Sequence, residues 1–199
     1  DSMLYLENIS LNGPVKIDSV KLGEDGAFDF QENAMDSITP DFYRLRIANQ
    51  TINLSIDSTE TVTVKAAYPQ MSYKYEVEGS ENCNTIKELS LKQMLLQSNI
   101  NGIVKNPNIG VDSVDVIVTR MLNEYKQDIK TNYIFKAPMQ ASSYYALFQT
   151  IQLGNTNSLI FNPRNNKEDV KVFAAVATSW DTYYPGAERG KNLHNIAIE

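Results

Sequence analysis

Residues 162–185 read NPRNNKEDVKVFAAVATSWDTYYP, and the rest of the chain is read outward from them. Val170, Phe173, Val176, Ala177, Trp180 and Tyr184 recur at helical spacing, which predicts a helix with one buried stripe. Both ends are marked. Asn166 is placed to cap the start, Glu168 and Asp169 lie in the first turn, and Pro185-Gly186 closes the end. The chain's only tryptophan, Trp180, sits in the stripe, with Tyr183 and Tyr184 just beyond it.

The same periodicity surrounds this helix. Residues 82–100 predict a helix with Ile86, Leu89, Leu96 and Ile100 inward, ended by Asn101-Gly102. Residues 106–110 predict a loop. A second helix should follow Asp112 as its cap, with Val114, Ile117, Val118, Met121, Leu122, Tyr125 and Ile129 as its stripe. Pro138 is suited to open a third, carrying Tyr144, Leu147, Phe148 and Ile151 and stopped by Gly154-Asn155. A loop over 155–163 and a last helix over 188–198 complete the helical part.

Residues 1–80 follow a different period. Alternation of two between turn signals predicts strands near 3–10, 15–22, 27–31, 42–49, 51–57, 61–66 and 74–78. Leu45, Ile47, Ile52, Leu54, Ile56, Val62 and Val64 alternate with polar residues and should form the core. Glu24-Asp25-Gly26 and Asp57-Ser58-Thr59 supply turn chemistry, and 34–40 reads as a loop. The expected fold is α+β: an antiparallel β-sandwich or open barrel over 1–80, then a helical segment of four to five helices over 81–199, joined at Gly79-Ser80.

Composition narrows the function. With 199 residues, 42% hydrophobic and 21% charged, the chain reads as an ordinary globular protein able to bury a core, and its apolar runs are too short to cross a bilayer. The net charge of −6 carries no Lys/Arg cluster of the kind phosphate neutralisation needs, so no nucleic-acid partner is expected. The acidity is uneven: residues 1–80 hold 13 acidic against 6 basic side chains, and residues 81–199 hold 11 against 12. The chain opens at Asp1 rather than a methionine, as expected of a processed protein or a piece of a longer one.

Few residues point to chemistry. Cys83, the single cysteine, precludes an internal disulfide or a Cys-x-x-Cys pair. It falls at a helix start, where the dipole favours a thiolate, but without a second cysteine or a neighbouring histidine it reads as a stray surface or boundary residue. His194 is the only histidine, so any Ser-His-Asp triad would hang on a terminal segment, and a structural role is the expectation. No acidic group has calcium-loop or metal-ligand spacing, and phosphate-loop and Gly-x-Ser-x-Gly motifs are absent. No catalytic residue, metal or cofactor is expected. Tyr145, Trp180, Tyr183 and Tyr184 are the candidate interaction surface, since such rings combine area with a polar handle. Tyr144 and Trp180 lie on buried stripes and read as core; Tyr145 and Tyr183 stand between the two readings.

The runs LYLENISLNGPVKIDSVKLGEDGAFDF, FYRLRIANQTINLSIDSTETVTVKA, SSYYALFQTI and FNPRNNKEDVKVFAAVATSWDTYYPGAERGKNLHN resemble the region ahead of the thioredoxin domain in TlpA-like thiol:disulfide oxidoreductases of the AhpC/TSA type. The resemblance covers nearly the whole chain. It implies an N-terminal β domain and a helical segment, followed in the parent protein by a thioredoxin-like domain with Trp-Cys-x-x-Cys. It also implies export to a bacterial cell envelope or periplasm, often with a lipid anchor. No Trp-Cys-x-x-Cys occurs here, so no catalytic residue carries over to any position.

The first expectation is therefore a non-catalytic N-terminal portion of an exported oxidoreductase, positioning the redox domain, protein substrates or a second subunit. The alternative is a self-contained secreted binding or adhesion module for a glycan or peptide. A single-domain enzyme ranks third, because the sequence pairs no carboxylates for acid–base work.

Overall fold

A computed structural model describes residues 3–31 and 38–198. The chain is α+β, with antiparallel sheets and five helices, and it divides into two compact units, Asp1–Lys87 and Glu88–Glu199.

In the first unit, β1 (Met3–Ser10), β2 (Gly13–Lys21), β3 (Asp41–Ile47) and β4 (Gln50–Ile56) form one antiparallel sheet in the order β2-β1-β3-β4. β5 (Thr63–Ala66) and β6 (Tyr75–Glu78) pair separately. Because side chains alternate across a strand, Leu4, Leu6, Leu45, Ile47, Ile52 and Leu54 reach one core, joined by Met71, Tyr75, Val77 and Cys83. Ile56, Val62 and Val64 pack against it half-buried.

Six of the seven expected strands form. Residues 27–31 do not: among the described residues they pair with no strand, and Phe28 and Phe30 stack on each other at 5.8 Å, Phe30 also touching the core. Among the described residues no closed barrel forms. Of the loop expected over 34–40, residues 34–37 lie outside the described residues and 38–40 are irregular.

The change from strand to helix at Gly79-Ser80 has a steric basis. Gly79 has φ +100°, and a Cβ there would lie 2.0 Å from the Thr61 carbonyl oxygen, so only glycine fits. Ser80 then caps the next element, its hydroxyl accepting from the Cys83 N–H at 3.2 Å.

That element is α1 (Glu81–Lys105), in which Ile86, Leu89, Leu96 and Ile100 are buried as expected. It runs through Asn101-Gly102 instead of stopping there. A mid-helix glycine costs only about 1 kcal/mol, whereas Pro107 disfavours helical geometry at Asn106 and sets the real end.

The second unit continues with α2 (Val111–Ile129), whose expected stripe is buried or half-buried throughout. Its N-cap is Gly110, without a side-chain bond; Asp112 lies inside the first turn, where its charge complements the dipole rather than capping. The chain passes into a π turn, Lys130–Ile134, closed by Phe135 N–H to Lys130 O at 2.9 Å.

The third helix, α3 (Ala141–Leu147), starts after Pro138 and is shorter than expected. Residues given to its end and to the following loop form instead a hairpin, β7 (Thr150–Leu153) and β8 (Thr156–Leu159), with Gly154-Asn155 as the two-residue turn and Gly154 at φ +61°. Gln97 covers the hairpin's edge, accepting from Gln152 N–H at 2.8 Å and donating to Gln152 O at 2.9 Å as a neighbouring strand would. Then come α4 (Lys167–Tyr183), capped by Asn166 accepting from Glu168 N–H, and α5 (Glu188–Ile198).

Candidate functional site

The sequence candidates are placed as follows. Cys83 is fully buried in the third position of α1, and its thiol donates to the Ser55 carbonyl at 3.2 Å. Burial pushes the thiol above its usual range, outweighing the opposing effects of the Ser80 side chain and the Ser55 backbone. A buried, protonated thiol in apolar surroundings does not attack disulfides. His194, on α5, pairs through Nε2 with the Asp181 carboxylate of α4. No hydroxyl or thiol is bonded to its other ring nitrogen among the described residues, so the pair ties two helices and lacks a nucleophile.

The aromatic group separates by depth. Trp180 is 0% exposed, packed against Tyr144 at 5.1 Å and edge-on to Tyr184 at 4.9 Å; its indole N–H has no partner among the described residues. Tyr144 and Phe148 continue the cluster at 5.0 Å, Phe148 meets Phe173 at 5.7 Å, and Arg189 lies over the Tyr144 ring. Trp180 is thus the centre of a core and cannot touch a partner. Tyr184 is half-buried, and Tyr145 is half-buried with its hydroxyl 2.8 Å from that of Ser90. Tyr183 is exposed. The four candidates do not form one surface.

Sequence reading missed the polar groups of this unit. Asp169 is 1% exposed: its Oδ2 accepts from Lys126 Nζ at 2.7 Å and from Asn162 N–H at 2.8 Å, while Oδ1 has no partner among the described residues. Lys126 also lies 5.5 Å from the centre of the Phe161 ring. One carboxylate therefore holds α2, α4 and the segment before α4 together. Nearby, Gln149 is buried, accepting from the Tyr125 hydroxyl at 2.6 Å and donating to Leu89 O at 2.9 Å.

Around the π turn, Lys92 pairs with Asp128 at 2.9 Å, Asn132 donates to Asp128, and the Tyr133 hydroxyl donates to Glu88 at 3.1 Å. Burial and the Glu88 carboxylate push the Tyr133 phenol up to about 12. Every one of these groups is matched, which is the chemistry of a lock between helices. The signal available in the sequence was weak: polar residues on apolar stripes, which periodicity counts as exceptions.

In the first unit the outward face of the sheet carries Tyr5, Glu7, Lys16, Arg44 and Arg46. Glu7 Oε1 accepts from Arg44 Nε at 2.5 Å and from Arg46 Nε at 3.2 Å. Burial raises the Glu7 carboxyl, but the two guanidinium groups outweigh it and hold it below the usual carboxylate range. Lys16 and Arg46 lie over the Tyr5 ring at 5.2 and 4.6 Å.

Among the described residues no three His, Cys, Asp or Glu side chains converge as metal ligands, and no helix is long and apolar enough to cross a membrane. No family model, curated protein or solved structure matches this chain.

Proposed function

We propose that the chain is the non-catalytic N-terminal portion of an exported thiol:disulfide oxidoreductase, positioning a thioredoxin-like redox domain, protein substrates or a second subunit. Family and compartment rest on the sequence runs quoted above. The structural observation that supports a non-catalytic role is Cys83: the only thiol is enclosed, hydrogen-bonded and held protonated. In this reading dithiol exchange belongs to another part of the parent protein, and the sheet and helices serve as its mount.

The direct test is insulin reduction. The 199-residue chain should give no turnover, while the uncut gene product should carry a Cys-x-x-Cys segment after residue 199 and reduce insulin. Turnover by the chain alone, or a gene product without such a segment, overturns the proposal.

The alternative, a self-contained secreted binding or adhesion module, loses the centre of its aromatic surface because Trp180 is enclosed. What remains in its favour is the sheet face around Tyr5.

A further inference from the structure

We propose that the outward face of the four-stranded sheet, formed by Tyr5, Lys16, Arg44 and Arg46 around Glu7, binds an acidic polypeptide segment in extended conformation. This goes beyond the positioning role above and holds whether or not a redox domain follows.

Charge is the first observation. Residues 1–80 are strongly acidic, yet three of their six basic side chains meet on one patch of three adjacent strands. The register explains the convergence: Glu7 stands opposite Lys16 on β2 and Arg44 on β3, and Tyr5 stands opposite Arg46. Like charges crowded on one sheet face cost stability. Glu7, the carboxylate that bonds both guanidinium groups, offsets one unit and leaves an excess of two.

The second observation is unused bonding capacity. Both arginines bond Glu7 through Nε alone, and the further guanidinium bond shown is Arg46 Nη1 to Ala48 O at 3.0 Å. Among the described residues the Nη groups of Arg44 bond no protein atom, and its side chain is 28% exposed, so its planar fork is open to an incoming carboxylate. Lys16 is exposed beside it.

Spacing selects the partner. Arg44 and Arg46 are two residues apart on one strand, hence about 6.8 Å, the repeat at which alternate side chains of an extended chain point the same way. Lys16 lies two strands across, roughly 9.6 Å away. An extended segment with acidic residues at every second position places successive carboxylates over Arg44 and Arg46.

The test is fluorescence anisotropy at low ionic strength, using a labelled peptide of alternating Glu and Ser, its Gln and Ser counterpart, and a labelled polyuronate. The expected result is saturable binding of the Glu peptide alone. The double variant Lys16→Gln/Arg46→Gln should weaken it about tenfold, the sum of two exposed charge contacts, while Lys65→Gln, an exposed lysine on β5, should leave it unchanged. Circular dichroism establishes that each variant is folded; if the double variant unfolds, Lys16→Gln alone should weaken binding about threefold. Equal binding of the Gln peptide, binding of the polyuronate but not the Glu peptide, or affinity indifferent to Lys16 overturns the proposal.

Discussion

The two units handle buried charge in opposite ways. In the helical unit Asp169 and Lys126 are enclosed, their side chains 2% and 12% exposed, and the carboxylate also binds a backbone N–H. In the β unit Glu7 is nearly as enclosed, but its arginine partners reach solvent and outnumber it. A closed pair with one anion and one cation is an internal fastening, sensitive to loss of either partner. An open pair with surplus cations keeps capacity for something outside the molecule. The contrast separates groups that build this protein from those free to serve it.

Breaking the closed pair should have the largest effect. Asp169→Ala leaves Lys126 buried without a counter-ion and frees Asn162 N–H, so urea unfolding should show a loss of about 3–5 kcal/mol. Replacing both partners by apolar residues, Lys126→Met with Asp169→Leu, should restore stability to near the parent value or above it. A double variant as unstable as Asp169→Ala would mean that the pair specifies the fold rather than merely satisfying itself.

Opening the other pair should cost less. Glu7→Gln should lose about 1–2 kcal/mol at neutral pH, since its partners are partly solvated. The Glu7 carboxyl is lowered in the folded state, so its contribution is present above the ordinary carboxylate range and disappears as pH falls through the folded value. Parent and variant melting temperatures should therefore converge in acid. The helical unit responds at the other end of the scale. Tyr133 titrates near 12 when folded and about 10 when unfolded, so the fold favours the neutral phenol and loses stability as pH rises between those values. Tyr133→Phe should remove that alkaline component from a melting-temperature profile.

Smaller still, Asn166→Ala removes the cap of α4 and should cost about 1 kcal/mol. Tyr183→Ala, at an exposed ring, should change stability by less than about 0.5 kcal/mol. In the longer oxidoreductase proposed above, docking of a redox domain at the exposed Tyr183 would make Tyr183→Ala lower insulin reduction without altering the melting temperature.

The elements most legible in the sequence were those where one periodicity dominates. β1 matches its expected range to both ends, six of seven expected strands form, α4 carries the expected cap and stripe and α5 the expected range, because alternation or a helical stripe coincides there with turn or cap residues. The hairpin at Gly154 departs from the helical expectation: Tyr144, Leu147, Phe148 and Ile151 keep helical spacing, while the Gly-Asn turn between two short strands carries the signal that the structure follows. Residues 27–31 alternate but pair with no strand among the described residues, and pairing is a property of distant residues. The polar fastenings were invisible for the same reason. Asp169 reads as a first-turn acid favourable to the dipole, and only the fold brings Lys126, 43 residues earlier, within 2.7 Å. The cationic patch needed the register of three strands before Lys16, Arg44 and Arg46 could be seen as neighbours.

The measurement that bears most directly on the central claim is insulin reduction followed by turbidity, run in parallel on the 199-residue chain and on the full-length oxidoreductase proposed above. The expected result is an inert chain, with Cys83 unreactive toward thiol reagents until urea unfolds it, and an active full-length form of the proposed oxidoreductase. Turnover by the chain, rapid labelling of Cys83 in the native state, or a full-length form without reductase activity would contradict it.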